Sequence, residues 1–406
     1  MLSIKQNKLA IMFLNILFIA IFALWYDNNR FNVIDDLSNT MFPWICVLLV
    51  VHIIEFRLSR THIYDFMLWF VALSYLFLFG YIFKELFDLK TVLLWNPIDN
   101  YSTETLFHTY SFAILALKLI SFGYLLLYAN EDKENSSKVY IEDPRRNTYK
   151  IGIMLLIIGG VSKIISDISI IATVYYAGSY SAYAEAVSSG IFDDLACLFL
   201  PGIFFIIFSG YLSNRALRNV CFFALAYFIL IMMLTGSRKT QILSIFALLL
   251  AYTYVSNRKK KHIIVYIIVG LLSLLILNFI VVLRDSRYNL SNVIPAYFEQ
   301  IETNGLFGNL IGEIITETGI TVLSIASIIN VVPSVFPFQY GLTFLRTIPS
   351  VLPIGWLVGD LFQKASSTNV INKYTGIPVG SSYIGDLYWN WGFVGGLFAS
   401  FVSGII

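Results

Sequence analysis

The chain has 406 residues, 58% of them hydrophobic, with 27 Lys plus Arg against 25 Asp plus Glu and a mean hydropathy of +0.75. A soluble domain of this composition would be covered in apolar surface, whereas lipid tolerates it. The run Arg258 to Lys261 is too short to argue for nucleic acid and reads as a topology anchor.

Apolar runs of membrane-spanning length predict helices at roughly 8–25, 41–56, 64–83, 107–128, 151–174, 191–212, 219–235, 240–256, 263–283 and 384–406, with a further hydrophobic region near 306–332. The first run has no small-residue cleavage site after it and reads as a retained helix. The last ends within apolar sequence at Gly404-Ile405-Ile406 without a polar tail, which leaves open whether further helices follow it. The expected fold class is therefore an all-α polytopic integral membrane protein, a single membrane domain over 1–406 with at least ten transmembrane helices.

Loop charge sets the orientation. With Lys5 and Lys8 inside, alternate connections carry Arg57/Arg60, then Lys133/Lys138/Arg145/Arg146/Lys150, then Arg215/Arg218, then Arg258 to Lys261. The intervening connections mix Arg30 with Asp27, Asp35 and Asp36, and Lys84/Lys90 with Glu85 and Asp88. This alternation places the N-terminus in the cytoplasm of a bacterial inner membrane. It also places Thr235-Gly236-Ser237-Arg238-Lys239 outside, against the charge bias.

Two readings of Arg238 and Lys239 stand side by side. They anchor helix ends at lipid headgroups, or they present guanidinium and backbone amides to phosphate oxygens. Further arginines at outer membrane exits, Arg284 and Arg287, and Arg346 beyond them, favour a basic cavity facing the periplasm or exterior. For each arginine alone a structural salt bridge remains open. Within the fifth predicted helix, Lys163 and Asp167 are spaced to neutralise each other across one turn.

Residues 284–383 are expected to form a long external loop region with re-entrant or membrane-resting helices; the alternative, a full crossing by 306–332, would put 333–383 in the cytoplasm. Gly305, Gly308, Gly312 and Gly319 interrupt its apolar part, and Glu302, Glu313 and Glu317 need a cavity or water. Pro333, Pro337, Pro349, Pro353, Gly355 and Gly359 then break the chain into short elements, as around membrane-level binding sites. The segment Thr375 to Phe393 brings Tyr383, Asp386, Trp389 and Trp391 to the start of the last helix. Its aromatics read either as an interfacial belt or as faces for sugar rings, and Asp386 as an acceptor for a hydroxyl or arginine. Tyr175, Tyr176, Tyr180, Tyr183 and Glu185 form a similar ledge after the fifth helix.

Other chemistries lack their signatures. His52, His62, His108 and His262 are scattered without zinc-site spacing, and no Walker or dinucleotide motif occurs. Cys46, Cys197 and Cys221 are isolated in apolar runs, as small fillers are.

With these residues in view, the chain resembles the bacterial oligosaccharide repeat-unit polymerases, the O-antigen or capsule polymerases of the Wzy type. The likeness rests on the many-helix layout, the aromatic segment after helix five, the Thr235-Gly236-Ser237-Arg238 turn, the long external loop, and the surroundings of Tyr340-Gly341, Pro349, Pro353, Gly380, Tyr383 and Trp391-Gly392. It implies a GT-C-like membrane glycosyltransferase using undecaprenyl-diphosphate-linked oligosaccharides, with no nucleotide sugar, metal or other cofactor. It admits membrane lipid and a chain-length regulator as partners. Under the resemblance, Arg238, Arg284, Glu313, Glu317 and Asp386 are expected to be catalytic. Lys239, Arg287, Arg346, Tyr176, Tyr180, Glu185, Tyr340, Tyr383 and Trp391 are expected to bind substrate. An O-antigen ligase or other lipid-linked-sugar transferase, and a lipid-linked glycan flippase, are the alternatives.

Overall fold

The structure, a computed structural model, describes residues 4–31, 34, 36–63, 65–89, 100–128, 144–177, 191–235, 239–256, 318–345 and 382–406, with isolated positions at 294–295, 298–299, 302, 312 and 315–316. Among these residues all regular secondary structure is helical. The helices are α1 (Ile4–Asn29), α2 (Leu37–Leu58), α3 (Phe66–Leu86), α4 (Thr103–Tyr128), α5 (Pro144–Ala177), α6 (Ile191–Ala196), α7 (Phe199–Phe208), α8 (Asn214–Thr235), α9 (Lys239–Ser256), α10 (Val322–Val331), α11 (Leu342–Leu345) and α12 (Tyr383–Ile405). Among the described residues, seven stretches are long and apolar enough to cross a membrane: α1 to α5, α6 with α7, and α8. In lipid every backbone amide needs an internal partner, so apolar runs of this length close into helices.

Side chains fix where the helices begin. Asp36 and Asp65 accept the backbone N–H groups of Asn39 and Met67, both at 2.9 Å, and so cap α2 and α3. The Asn39 backbone N–H, then its side-chain amide, hold the exposed Asp36 carboxyl below the usual carboxylate range.

Two predicted helices are not continuous. The expected helix 191–212 is two, α6 and α7, joined by a turn at Cys197-Leu198. Pro201 lies in the first turn of α7, where its missing N–H costs nothing. The last helix changes direction at Gly392 (φ 69°, ψ −165°). The predicted helix 263–283 lies outside the described residues, and of the region 306–332 the structure shows α10, ten residues long.

The chain clusters into two compact units. The first contains α1 to α4 and α10 to α12. Its central element is α4: 72% of its spanning window is buried, against 22–44% for the other candidate spans. Glycine makes the α4–α12 contact possible, since a side chain on Gly123 would meet the Phe401 carbonyl and one on Gly404 the Ile120 carbonyl. Helix α10 is buried from Val322 to Ile328, and the Tyr101 hydroxyl before α4 meets Ser327 at 2.6 Å. Burial pushes the Tyr101 phenol up.

The same unit encloses an ionic network absent from the sequence-based expectations. Lys118 of α4 donates to Glu55 of α2 at 2.5 Å, with both side chains fully buried. Asn15 of α1 donates to the other Glu55 oxygen at 2.6 Å. One turn from Glu55, His52 bonds Tyr75 of α3 through Nδ1 and Ser121 of α4 through Nε2, both at 2.9 Å. Four helices are thus tied by polar contacts in an apolar interior. Breaking such a pair by removing one partner costs about 3–5 kcal/mol.

The second unit contains α5 to α9. Its core packs Ile203 and Ile207 against Leu217, Cys221, Phe228 and Leu248. The predicted Lys163–Asp167 pair forms on α5, and Tyr227 of α8 also donates to Asp167. Ser166, on the same helix, donates to Asp193 of α6.

Candidate functional site

Four of the described site residues, Tyr340, Tyr383, Asp386 and Trp391, lie in the first unit, where the segment 333–345 runs along the start of α12. The backbone N–H groups of Gln339 and Tyr340 donate to the carbonyls of Trp389 and Asn390, both at 3.1 Å. The hub is the Asn390 side chain, which is fully buried. Its Oδ1 accepts the Gly341 N–H at 2.6 Å, and its Nδ2 donates to Thr343 Oγ1 at 2.5 Å and to the Asp386 carbonyl at 2.7 Å. Trp389 Nε1 adds a bond to the Pro337 carbonyl at 3.2 Å. One amide therefore joins the loop to the first turns of α12.

That clamp holds unusual backbone in place. Tyr340 and Gly341 have positive φ (47° and 94°), as does Gly392 (69°). For tyrosine this conformation costs about 1–3 kcal/mol, which the surrounding bonds must offset. At Gly392 an added Cβ would sit 3.1 Å from the Phe338 ring. The bend there turns Phe393 onto Tyr26 of α1, with ring planes 7° apart. The Tyr26 hydroxyl in turn meets His108 Nδ1 at 2.5 Å, and Glu104 stands 3.9 Å from the Nε2 atom.

The product of the clamp is an exposed aromatic face. Phe344 stacks on Trp391 at 5.7 Å and 18°, and meets Tyr383 edge-on at 5.7 Å. Tyr340, 76% exposed, stands beside Phe338 at 6.3 Å. Gly395 is needed beneath this face, because its Cβ would come within 2.7 Å of Trp391 Cβ. From the face a groove of about 550 Å³ runs along α12 to Ile406. Asp386, in the first turn of α12, is absent from the groove's lining and adjoins the Asn390 clamp.

The structure thus groups Tyr340, Tyr383, Trp391 and Asp386 of the expected site. Tyr176 belongs to the second unit, at the end of α5, 87% exposed and edge-on to Tyr175. Lys239 opens α9. Arg238, Arg284, Arg287, Arg346, Tyr180, Glu185, Glu313 and Glu317 lie outside the described residues. Asn390, Phe344 and His108 are contributions that the sequence reading missed. A polar amide between two tryptophans, at Trp389-Asn390-Trp391, was the available signal for Asn390.

Helical spans without strands among the described residues define a multi-pass membrane protein, and an exposed aromatic face stands at the start of α12. The chain belongs to the O-antigen polysaccharide polymerase Wzy family, whose description it matches over residues 9–406. No curated protein and no solved structure matches it. Membership makes it an inner-membrane polymerase of O-antigen repeat units.

Proposed function

We propose that this protein transfers a growing glycan from undecaprenyl diphosphate onto the non-reducing end of one newly delivered, lipid-linked repeat unit, at the outer side of the plasma membrane. The observation that carries this reading is the family match along residues 9–406. The proposal includes a GT-C-like architecture of at least ten spans, a cytoplasmic N-terminus, and a chain-length regulator as partner. The charge alternation of the loops supports the orientation.

In the reaction the bond between the donor sugar and the diphosphate breaks, and the acceptor hydroxyl oxygen bonds to the same sugar carbon. Negative charge grows on the departing diphosphate. Arg238 and Arg284 are assigned to stabilise it, with Arg287, Arg346 and Lys239 binding phosphate nearby, so that guanidinium groups take the place of a metal. The acceptor proton passes to a carboxylate, with Glu313, Glu317 and Asp386 as candidates, or to a phosphate oxygen. Tyr340, Tyr383 and Trp391 offer flat amphipathic faces to sugar rings. Tyr176, Tyr180 and Glu185 supply a second ledge.

The test is reconstitution in liposomes with defined lipid-linked repeat units and no nucleotide sugar. A length ladder is expected, undiminished by a chelator. Movement across the bilayer with unchanged glycan length would sink the polymerase reading, and transfer to a lipid A acceptor would replace it with a ligase. Arg238→Ala is expected to abolish the ladder in folded protein.

A further inference from the structure

We propose that the recess between the start of α5 and the end of α7 binds the phosphate group of an anionic phospholipid headgroup, with Arg145 as its cation. The inference concerns the second unit alone and does not rest on the polymerase reading.

The recess, of about 420 Å³, is lined by Arg145 and Thr148 of α5 and by Phe208, Ser209 and Gly210 at the end of α7. Its volume falls within the range of small-ligand sites. Local sequence shapes it. Gly152 lets α7 approach α5, since a Cβ there would lie 2.8 Å from the Ile206 side chain. After α7 the chain turns at Gly210 (φ 64°), where an added Cβ would meet nothing within 4 Å, so the turn borders open space. Ser209 Oγ donates to the Ile206 carbonyl at 2.7 Å and accepts the Tyr211 N–H at 3.2 Å. Tyr211 packs on Tyr149 of α5 with ring centres 5.0 Å apart. The turn is thus braced against α5, and Arg145 and Thr148 offer donors to the space beside it.

Charge decides the occupant. Arg145 and Arg146 stand in the first turn of α5 and Arg215 in that of α8, with Arg218 a turn later, and neither first turn holds an acidic residue. A helix's own dipole disfavours cations at this end, so helix stability does not account for them. All four arginines are exposed, and among the described residues no ion pair or hydrogen bond holds their side chains. Helices α7, α8 and α9 carry no Asp or Glu. Asp167, the one carboxylate on α5, is bonded to Lys163 and Tyr227. It lies about 33 Å farther along the helix than Arg145 at 1.5 Å per residue. The countercharge must therefore come from outside these helices. Glu142 and Asp143, just before α5, lie outside the described residues and are the internal rivals for Arg145. A guanidinium beside a hydroxyl suits phosphate oxygens. The rim favours a lipid over a dissolved phosphate. Phe208 and Tyr211 are 50% and 54% exposed, and put an apolar and an amphipathic ring where headgroups meet acyl chains.

The experiment uses the full chain, delipidated in a neutral detergent, with phosphatidylglycerol or phosphatidylcholine added and bound lipid counted by native mass spectrometry. Phosphatidylglycerol is expected to be retained in preference to phosphatidylcholine. Arg145→Gln is expected to weaken that binding about tenfold, a loss of about 1.4 kcal/mol, and Thr148→Val severalfold. Arg57→Gln removes an exposed cation from the last turn of α2 in the first unit and is expected to leave it unchanged. Because Arg145 is exposed, the Tm of Arg145→Gln without lipid is expected to match that of the wild type. Equal losses from Arg145→Gln and Arg57→Gln would mark general charge attraction and overturn the proposal. Unchanged binding by Arg145→Gln with a lowered Tm would give Arg145 to Glu142 or Asp143 and overturn it as well. So would equal retention of the two lipids. Displacement of phosphatidylglycerol by millimolar inorganic phosphate would assign the recess to a dissolved anion in place of a lipid. No glycan ladder enters these readouts, so failure of the polymerase reading would leave the headgroup site standing.

Discussion

Two polar clusters in the first unit use similar residue types to opposite ends. Around Lys118, Glu55, Asn15 and His52, the side chains bond inward to one another and to Tyr75 and Ser121, and four helices close over them. Around Asn390, one buried amide holds loop backbone so that Tyr340, Tyr383 and Trp391 stay at the surface. The first cluster is enclosed among these helices, with Asn15, Glu55, Lys118 and His52 all buried. The second maintains strained backbone and exposed rings, which folding alone does not require. Strain and exposure held together make the second cluster the stronger candidate for a functional surface.

The comparison breaks most sharply at the ion pair. Lys118→Met leaves the Glu55 carboxylate buried without its cation and is expected to cost about 3–5 kcal/mol, seen as a large fall in Tm in detergent. Glu55→Gln combined with Lys118→Met is expected to recover most of that loss. If the double variant is as unstable as the single one, charge pairing is not what the network contributes.

Asn390→Leu comes next. It removes three hydrogen bonds at about 1–3 kcal/mol for each buried group left unpaired, partly relieved by local movement of the loop. Transfer is expected to fall by about two orders of magnitude or more, since each 1.4 kcal/mol of misplacement is a decade. Gly392→Ala forces a side chain into positive φ at about 1–2 kcal/mol and against Phe338, lowering Tm moderately. Gly395→Val is expected to swing Trp391 off Phe344, detectable as a change in tryptophan emission in a variant retaining only Trp391. Asp36→Ala should have the smallest effect. The cap it removes contributes above the ordinary carboxylate pKa of about 3.9 and fades as pH falls through the lower folded value. The Tm difference between wild type and variant should therefore shrink in acid.

Much of the framework was legible because a membrane span is a local signal. Apolar length alone locates α1 to α5 and α8, and the i, i+4 spacing of Lys163 and Asp167 gives their pairing directly. Tyr383 and Trp391 were legible as a pair at the head of the last helix. Glu55 and Lys118 were not, because their partnership spans 63 residues of sequence and no periodicity encodes it. Asn390 was hidden for the same reason, its partners Gly341 and Thr343 lying some fifty residues earlier. The break between α6 and α7 was masked by hydropathy that continues through it.

The central claim is that the Asn390 clamp serves transfer while the Lys118–Glu55 pair serves folding. The direct test reconstitutes Asn390→Leu and the Glu55→Gln, Lys118→Met double variant, each checked for retained Tm, with lipid-linked repeat units in liposomes. The account predicts a full glycan ladder from the double variant and none from folded Asn390→Leu. A normal ladder from Asn390→Leu, or its loss in a stable double variant, would contradict it.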